Sequence, residues 1–199
     1  APVCGWPDRA DVPTVFFGGG TPSLTDPADL ARVLDRLRER FAFRHDAEIS
    51  IEINPEDVTA DAAREWLSMG INRFSLGVQA IHDAELLRLG RAHRARHNLE
   101  AIEILRSLGA GNVGVDLMFG LEGQTVEGWL ATLETVVSWD PEHVSCYNLT
   151  VEERTRYAVD VRLGRRTLPD DETQGRMLLA GRSYLRERGW PPYEISNYA

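Results

Sequence analysis

Apolar, β-rich runs alternate with stretches of helical periodicity along most of the chain. Thr14-Val15-Phe16-Phe17 reads as a first strand, and after it Leu30, Val33, Leu34, Leu37 and Phe41 recur at the spacing of one helix face. Asp26 can accept from the first free amides there, and Pro27 sits where its missing N–H costs nothing, so the spacing predicts a helix over about 27–41. A strand over 48–53 follows. The pattern repeats with a helix capped by Thr59, carrying Ala63, Trp66 and Leu67 and stopped by Gly70, and then a strand over 73–78. A broken helical stretch runs to Leu108 and stops at Gly109. Next come a strand over 113–119, a helix after Thr125 with Trp129, Leu130, Leu133 and Val137, and a strand over 143–149. A last helix over about 171–188 ends at Gly189, before Tyr193-Glu194-Ile195. Strict alternation of strand and helix implies right-handed crossovers and a parallel sheet, open or curled into a full or partial barrel. Trp66 and Trp129 are expected as core anchors. No linker, repeat or low-complexity tract intervenes, so residues 1–199 are expected to form a single domain.

Parallel strands covered on both faces read as nearly continuous apolar runs, so polar residues inside them call for a reason. Here they fall in register. Ser50 and Glu52 alternate with Ile49, Ile51 and Ile53; Ser75, Gly77 and Gln79 alternate with Phe74, Leu76 and Val78; Asp116 interrupts the run 113–119. Period-two alternation puts each set on one face, mostly toward the carboxyl ends of the strands, where barrels and open α/β sheets build their sites. The turn Gly18-Gly19-Gly20-Thr21-Pro22 lies at the same end, and glycine there lets backbone amides approach a ligand with no Cβ in the way. A packed-core carboxylate is unfavourable by several kcal/mol unless paired. Glu52 and Asp116 are therefore partners of arginines or contacts to a ligand, and the coincidence of several such positions favours a site.

Composition narrows the chemistry. All 22 basic residues are arginine, which removes a Schiff-base lysine and the phosphate-binding lysine of a P-loop. A net charge of -9 with no basic patch argues against nucleic acid as a partner. Two cysteines, Cys4 and Cys146, are too few and too far apart for a disulfide framework or a metal clip, which suits a reducing cytoplasm, with Cys146 expected as a small buried hydrophobe. No apolar run approaches the roughly 18 residues of a membrane span, and nothing else points to a membrane. The start at Ala1 without Met and the stop at Ala199 read as a fragment cut at both ends.

Two apparent motifs carry less than they promise. Gly109-Ala110-Gly111-Asn112-Val113-Gly114 matches GxGxxG, but it follows a helix and opens a strand, the reverse of a dinucleotide fingerprint. It reads as a helix stop. His93 and His97 have the spacing of a helical metal pair, yet no glutamate follows His93 and arginines crowd both, so a solvated face is expected. His45, His82 and His143 show no pattern.

The run Phe16-Phe17-Gly18-Gly19-Gly20-Thr21-Pro22-Ser23 resembles the GGGTP motif of radical SAM proteins of the oxygen-independent coproporphyrinogen III oxidase-like family. Ile51-Glu52-Ile53-Asn54-Pro55, Ser75-Leu76-Gly77-Val78-Gln79, Leu89-Gly90-Arg91-Ala92-His93, the block over 115–121 and Tyr193-Glu194-Ile195-Ser196-Asn197-Tyr198-Ala199 resemble that family in its order. The resemblance implies a partial (β/α) TIM-type barrel, truncated at both ends. It assigns Gly19, Gly20 and Thr21 to the methionine end of S-adenosylmethionine and makes Glu52, Gln79, Arg91 and Asp116 further contacts to it. In such proteins a [4Fe-4S] cluster reduces the sulfonium and releases a 5′-deoxyadenosyl radical. The CxxxCxYC cluster motif that precedes the glycine turn in the family is absent from this sequence, so no metal ligands are expected in it and no catalytic residue is assignable. Leu149-Thr150-Val151-Glu152, Ser23-Leu24 and the final block are similar to a heme chaperone branch, which implies heme as cargo and a heme-acceptor protein as partner. An oxidative decarboxylase of coproporphyrinogen III, acting on a porphyrinogen, is the alternative.

Overall fold

A computed structural model describes residues 10–199; Cys4 lies outside them. The elements run in chain order as β1 (Asp11–Phe17), α1 (Pro27–Arg40), β2 (Ala42–Ile53), α2 (Ala60–Ser68), β3 (Arg73–Gln79), α3 (Asp83–Arg88), α4 (Ala95–Ser107), β4 (Val113–Phe119), α5 (Val126–Val137), β5 (His143–Asn148), α6 (Arg156–Arg162), α7 (Asp171–Glu187) and β6 (Asn197–Tyr198). The six strands form one sheet in sequence order, curled into a half-barrel. The predicted start signals hold where they were read. Asp26 accepts from Ala28 N–H at 2.9 Å with Pro27 behind it, Thr59 accepts from Ala62 N–H at 3.1 Å, and Thr125 accepts from Gly128 N–H at 3.1 Å. Each satisfies one amide that a helix start leaves open.

Three features depart from the predicted series. β2 begins at Ala42, directly after α1, and is longer than the apolar run from Ile49 to Ile53. Its register on β1 jumps between Asp11↔Ala42, Val12↔Phe43 and Thr14↔Glu48, so the exposed Arg44-His45-Asp46 segment is absorbed as an irregularity at an edge. The helix α6 has too short an apolar face, with Ala158 its only buried residue, to register as a period. At the far edge the strict alternation fails, because β6 pairs antiparallel with β5 through Val144↔Tyr198 and Ser145↔Asn197. Tyr193–Ile195 is not in a strand.

The core lies between the helices and the convex face of the sheet. Ile49, Ile51, Ile53, Phe74, Leu76, Val113, Val115, Leu117, Val144 and Cys146 are buried there, with Trp66 of α2 and Trp129 of α5 each 1% exposed. Both tryptophans are core anchors, and truncating a buried tryptophan costs about 3–5 kcal/mol. α5 and α7 meet closely because Gly181 leaves room: a Cβ there would stand 2.6 Å from Trp129 Nε1. Among the described residues no helix is long and apolar enough to cross a membrane.

Candidate functional site

The register of the sheet explains the polar strand residues. Glu52 pairs with Ser75, Ser75 with Gly114, Gly114 with His143, and Asp116 with Ser145, so all project from the same face. That face is the concave side of the half-barrel, which no helix among the described residues covers. The sheet is apolar toward its helices and polar toward its hollow, and this one-sided covering is why alternation replaces continuous apolar runs.

A cavity of about 330 Å³ occupies the hollow at the carboxyl ends of β2, β3 and β4, lined among others by Gly20, Thr21, Glu52, Asn54, Gln79, Arg91, Asp116 and Tyr147. The sequence singled out Gly20, Thr21, Glu52, Gln79, Arg91 and Asp116, and the fold brings all six together. Gly19, the seventh, adopts φ +98° and donates its N–H to Glu52 Oε2 at 3.1 Å, docking the glycine turn onto β2. Only glycine holds that conformation without strain. A Cβ on Gly19 or Gly20 would meet nothing within 4 Å, so the turn faces open space. The next turn is anchored by Ser23, whose hydroxyl donates to Asp57 at 2.6 Å and accepts from Asn54 N–H at 3.3 Å.

The charges in the cavity are not cancelled by one another. Asp116 accepts from the Ser75 hydroxyl at 2.8 Å and Glu52 from the Gly19 amide, and among the described residues neither carboxylate forms an ion pair with an arginine. Arg91 lines the same cavity with no carboxylate partner among those residues. The reading of these acids as structural ion-pair partners is therefore set aside. Tyr147, which the sequence did not single out, follows from the alternation of His143, Ser145 and Tyr147 on β5; burial, the largest influence, raises its phenol pKa and keeps it a donor. Asn54 lines the cavity as the first residue beyond β2.

Gln79 reaches the cavity by an unexpected route. Leu76 pairs with Val115 but Gln79 pairs with Leu117, so β3 carries one extra residue at its end. Gln79 takes φ +65° and Ala80 N–H closes onto the Val78 carbonyl at 2.8 Å, a γ-turn with the rare positive φ. Such a conformation costs about 1–3 kcal/mol and persists only where the surroundings hold it.

His93 corrects the expectation of a solvated face. It precedes α4 instead of lying on it and is 2% exposed, with Nε2 3.2 Å from the Val78 carbonyl and Nδ1 3.3 Å from Glu56 Oε2. Burial holds its pKa below the ordinary 6.5, against the opposing pull of Val78 and Glu56. His97 sits in the first turn of α4 and accepts from Arg94 N–H at 3.1 Å. The two rings share no ligand position. The Gly109–Gly114 segment is the helix stop it was read to be: Gly109 has φ +89°, and Ala110 N–H returns to Leu105.

A second cavity of about 300 Å³ lies between β5 and α7. Its amides satisfy each other, Asn148 donating to Gln174 at 2.8 Å, and burial pushes the Cys146 thiol pKa far up, leaving it an inert apolar group. Its one charged lining residue, Asp171, opens α7 at its exposed first turn. Among the described residues no group of three or more His, Cys, Asp or Glu side chains is placed to hold a metal ion.

A parallel half-barrel with its polar site at the strands' carboxyl ends defines the class, and the sequence agrees: the Radical SAM superfamily profile matches residues 7–136, so the chain belongs to that superfamily. It is similar to the mitochondrial radical S-adenosyl methionine domain-containing protein 1 of Bos taurus, at 39% identity over 94% of this chain and 42% of that protein. It is also similar to the heme chaperone HemW of Escherichia coli (37% identity, 95% of this chain, 49% of that protein) and of Bacillus subtilis (35%, 96% and 51%). The chain spans about half the length of these relatives. Among solved structures, coproporphyrinogen III oxidase (HemN) from Escherichia coli, a radical SAM enzyme, superposes with a TM-score of 0.81 at 26% identity, over 95% of this chain and 43% of that one.

Proposed function

We propose that this chain is the S-adenosylmethionine-binding core of a heme chaperone, a protein that binds heme and passes it to acceptor proteins. The observation that carries the first half is the cavity with two carboxylates and one guanidinium unpaired by each other. S-adenosylmethionine presents the complementary set: an α-ammonium and a sulfonium, an α-carboxylate, and ribose hydroxyls. Gly20 and Thr21 present a backbone amide and a hydroxyl to the methionine end, while Gly19, whose N–H is taken by Glu52, sets the turn that places them there. Glu52 and Asp116 accept from cationic or hydroxyl groups, Arg91 takes a carboxylate, and Gln79 donates and accepts at its amide. The protein's part in the chemistry is to bind and orient this ligand and to shield it from water.

The [4Fe-4S] cluster of the family does not fit the described residues. They contain no ligand cluster, the CxxxCxYC motif is absent from the sequence, and Cys146 is buried as an inert thiol.

The heme-trafficking half is supported by relatives named as heme chaperones at 35–37% identity. The alternative, oxygen-independent oxidation of coproporphyrinogen III, is favoured by the structural likeness to HemN. Full-length protein carrying this chain separates them. The chaperone reading expects a stoichiometric heme absorbance band that transfers to an acceptor, and no decarboxylated product from coproporphyrinogen III under anaerobic, reducing conditions. Turnover of that substrate without heme binding would replace this reading with the oxidase.

A further inference from the structure

Gln79 is held in its γ-turn from behind. The Val78 carbonyl that closes the turn also faces Nε2 of His93 at 3.2 Å, and the Ala80 carbonyl on the other side accepts from Asn98 Nδ2 at 3.0 Å. Both side chains are buried, His93 at 2% and Asn98 at 0% exposed, and both belong to the segment that carries Arg91 and the start of α4. Gly77 completes the arrangement from the front. A Cβ there would stand 3.1 Å from Gln79 Nε2 and 3.6 Å from Asn54 Oδ1, so the side chain of Gln79 lies across the space that glycine leaves. A strand end with a positive φ at glutamine is unfavourable by itself. Two buried donors gripping the carbonyls on either side make it the resident conformation.

We propose that His93 and Asn98 are positioning residues, which clamp the Val78 and Ala80 carbonyls so that Gln79 is presented to the ligand of the concave cavity. The inference rests on the reading of that cavity as the S-adenosylmethionine site. Neither residue lines the cavity, so each acts through Gln79. The second nitrogen of His93 lies 3.3 Å from Glu56 Oε2 in the turn after β2, so the segment carrying Arg91 packs against the ends of both β2 and β3.

The test is a coupling measurement on the full-length protein, reconstituted anaerobically, with S-adenosylmethionine affinity read by equilibrium dialysis. Gln79→Ala is expected to weaken binding about tenfold, the scale of one lost buried hydrogen bond. His93→Ala and Asn98→Leu should each weaken it by up to a similar factor, and neither should weaken it further when combined with Gln79→Ala. His93→Gln, which restores an N–H for the Val78 carbonyl, should return to within about threefold of the parent protein. Independent losses in the double variants, or His93→Gln binding as weakly as His93→Ala with an unchanged circular dichroism spectrum, would overturn the clamp and make these residues purely structural. Should His93→Ala fail to fold, His93→Gln and the Asn98→Leu pair decide the matter. Gln79→Ala binding like the parent removes Gln79 from the site and the clamp with it, whereas a parent protein that does not bind S-adenosylmethionine removes the reading of the cavity itself.

Discussion

Asp116 sits mid-strand on β4 with one oxygen held by Ser75, in a cavity whose arginine, Arg91, forms no ion pair with it among the described residues. On the proposed reading this carboxylate receives a donor from the ligand. Replacing it with alanine removes a charge-assisted hydrogen bond, worth about 1.5–3 kcal/mol, so Asp116→Ala in the full-length protein is expected to weaken S-adenosylmethionine binding about 10- to 100-fold by equilibrium dialysis. Unchanged affinity would return Asp116 to a structural role. At this scale the sequence was informative wherever the signal was local. Glu52 and Asp116 stood out because a charge inside an apolar run is anomalous, and the glycine turn because a backbone without Cβ can come close to a ligand; that Gly19 holds φ +98° came only with the fold. His93 was misread because its burial depends on a loop folding back under β3, which no spacing within 93–97 encodes.

Helices also pack on one another through close approaches, as α5 and α7 do. Gly181 of α7 faces the Trp129 indole, and an added methyl group would also meet Leu133 Cδ1 at 3.3 Å. Overpacking of this kind costs about 1–3 kcal/mol, of which alanine's better helix propensity offsets about 1 kcal/mol; a Cβ at 2.6 Å from a buried indole puts the cost toward the upper end. Gly181→Ala is therefore expected to lower the melting temperature by several degrees, measured by circular dichroism, with S-adenosylmethionine affinity unaffected at temperatures where the protein is folded. Boundaries set by chemistry within one element were readable in advance, as with Asp26-Pro27 at α1 and Thr125 at α5. The early start of β2, the short α6 and the antiparallel β6 were not. Each depends on a neighbouring element: β2 on the slip in register against β1, α6 on Arg166 bridging Arg88, Glu122 and Tyr157, and β6 on the free edge of β5.

Across the whole molecule the C-terminal segment returns to the amino end of β5. Tyr193 hydroxyl lies 2.8 Å from His143 Nε2, and Trp190 Nε1 donates to the Pro141 carbonyl at 2.9 Å. Burial, with Arg73 next in weight, lowers the His143 pKa from 6.5, against Asp116, Glu48 and Glu194. The unfolded chain therefore takes up a proton at this residue before the folded one does. Stability from a neutral, buried His143 is full above pH 6.5 and declines as pH falls below it toward the lower folded value. His143→Gln, which keeps a hydrogen-bonding group opposite Tyr193 but does not titrate, is expected to flatten the fall in melting temperature between about pH 6.5 and 5. An equally steep fall would place the acid sensitivity elsewhere, His93 being the next candidate.

The sequence by itself determined most of the alternation of strand and helix, the apolar face of most elements and the polar strand positions Glu52, Gln79 and Asp116 of the cavity, because periodicity, capping and misplaced charge act over a few residues. Tertiary structure alone decided that the sheet curls with one face uncovered, that Gln79 arrives through a bulge and a γ-turn, and that His93 and Asn98 grip it from behind. Those outcomes depend on contacts between segments distant along the chain, made only when the half-barrel closes around its polar hollow.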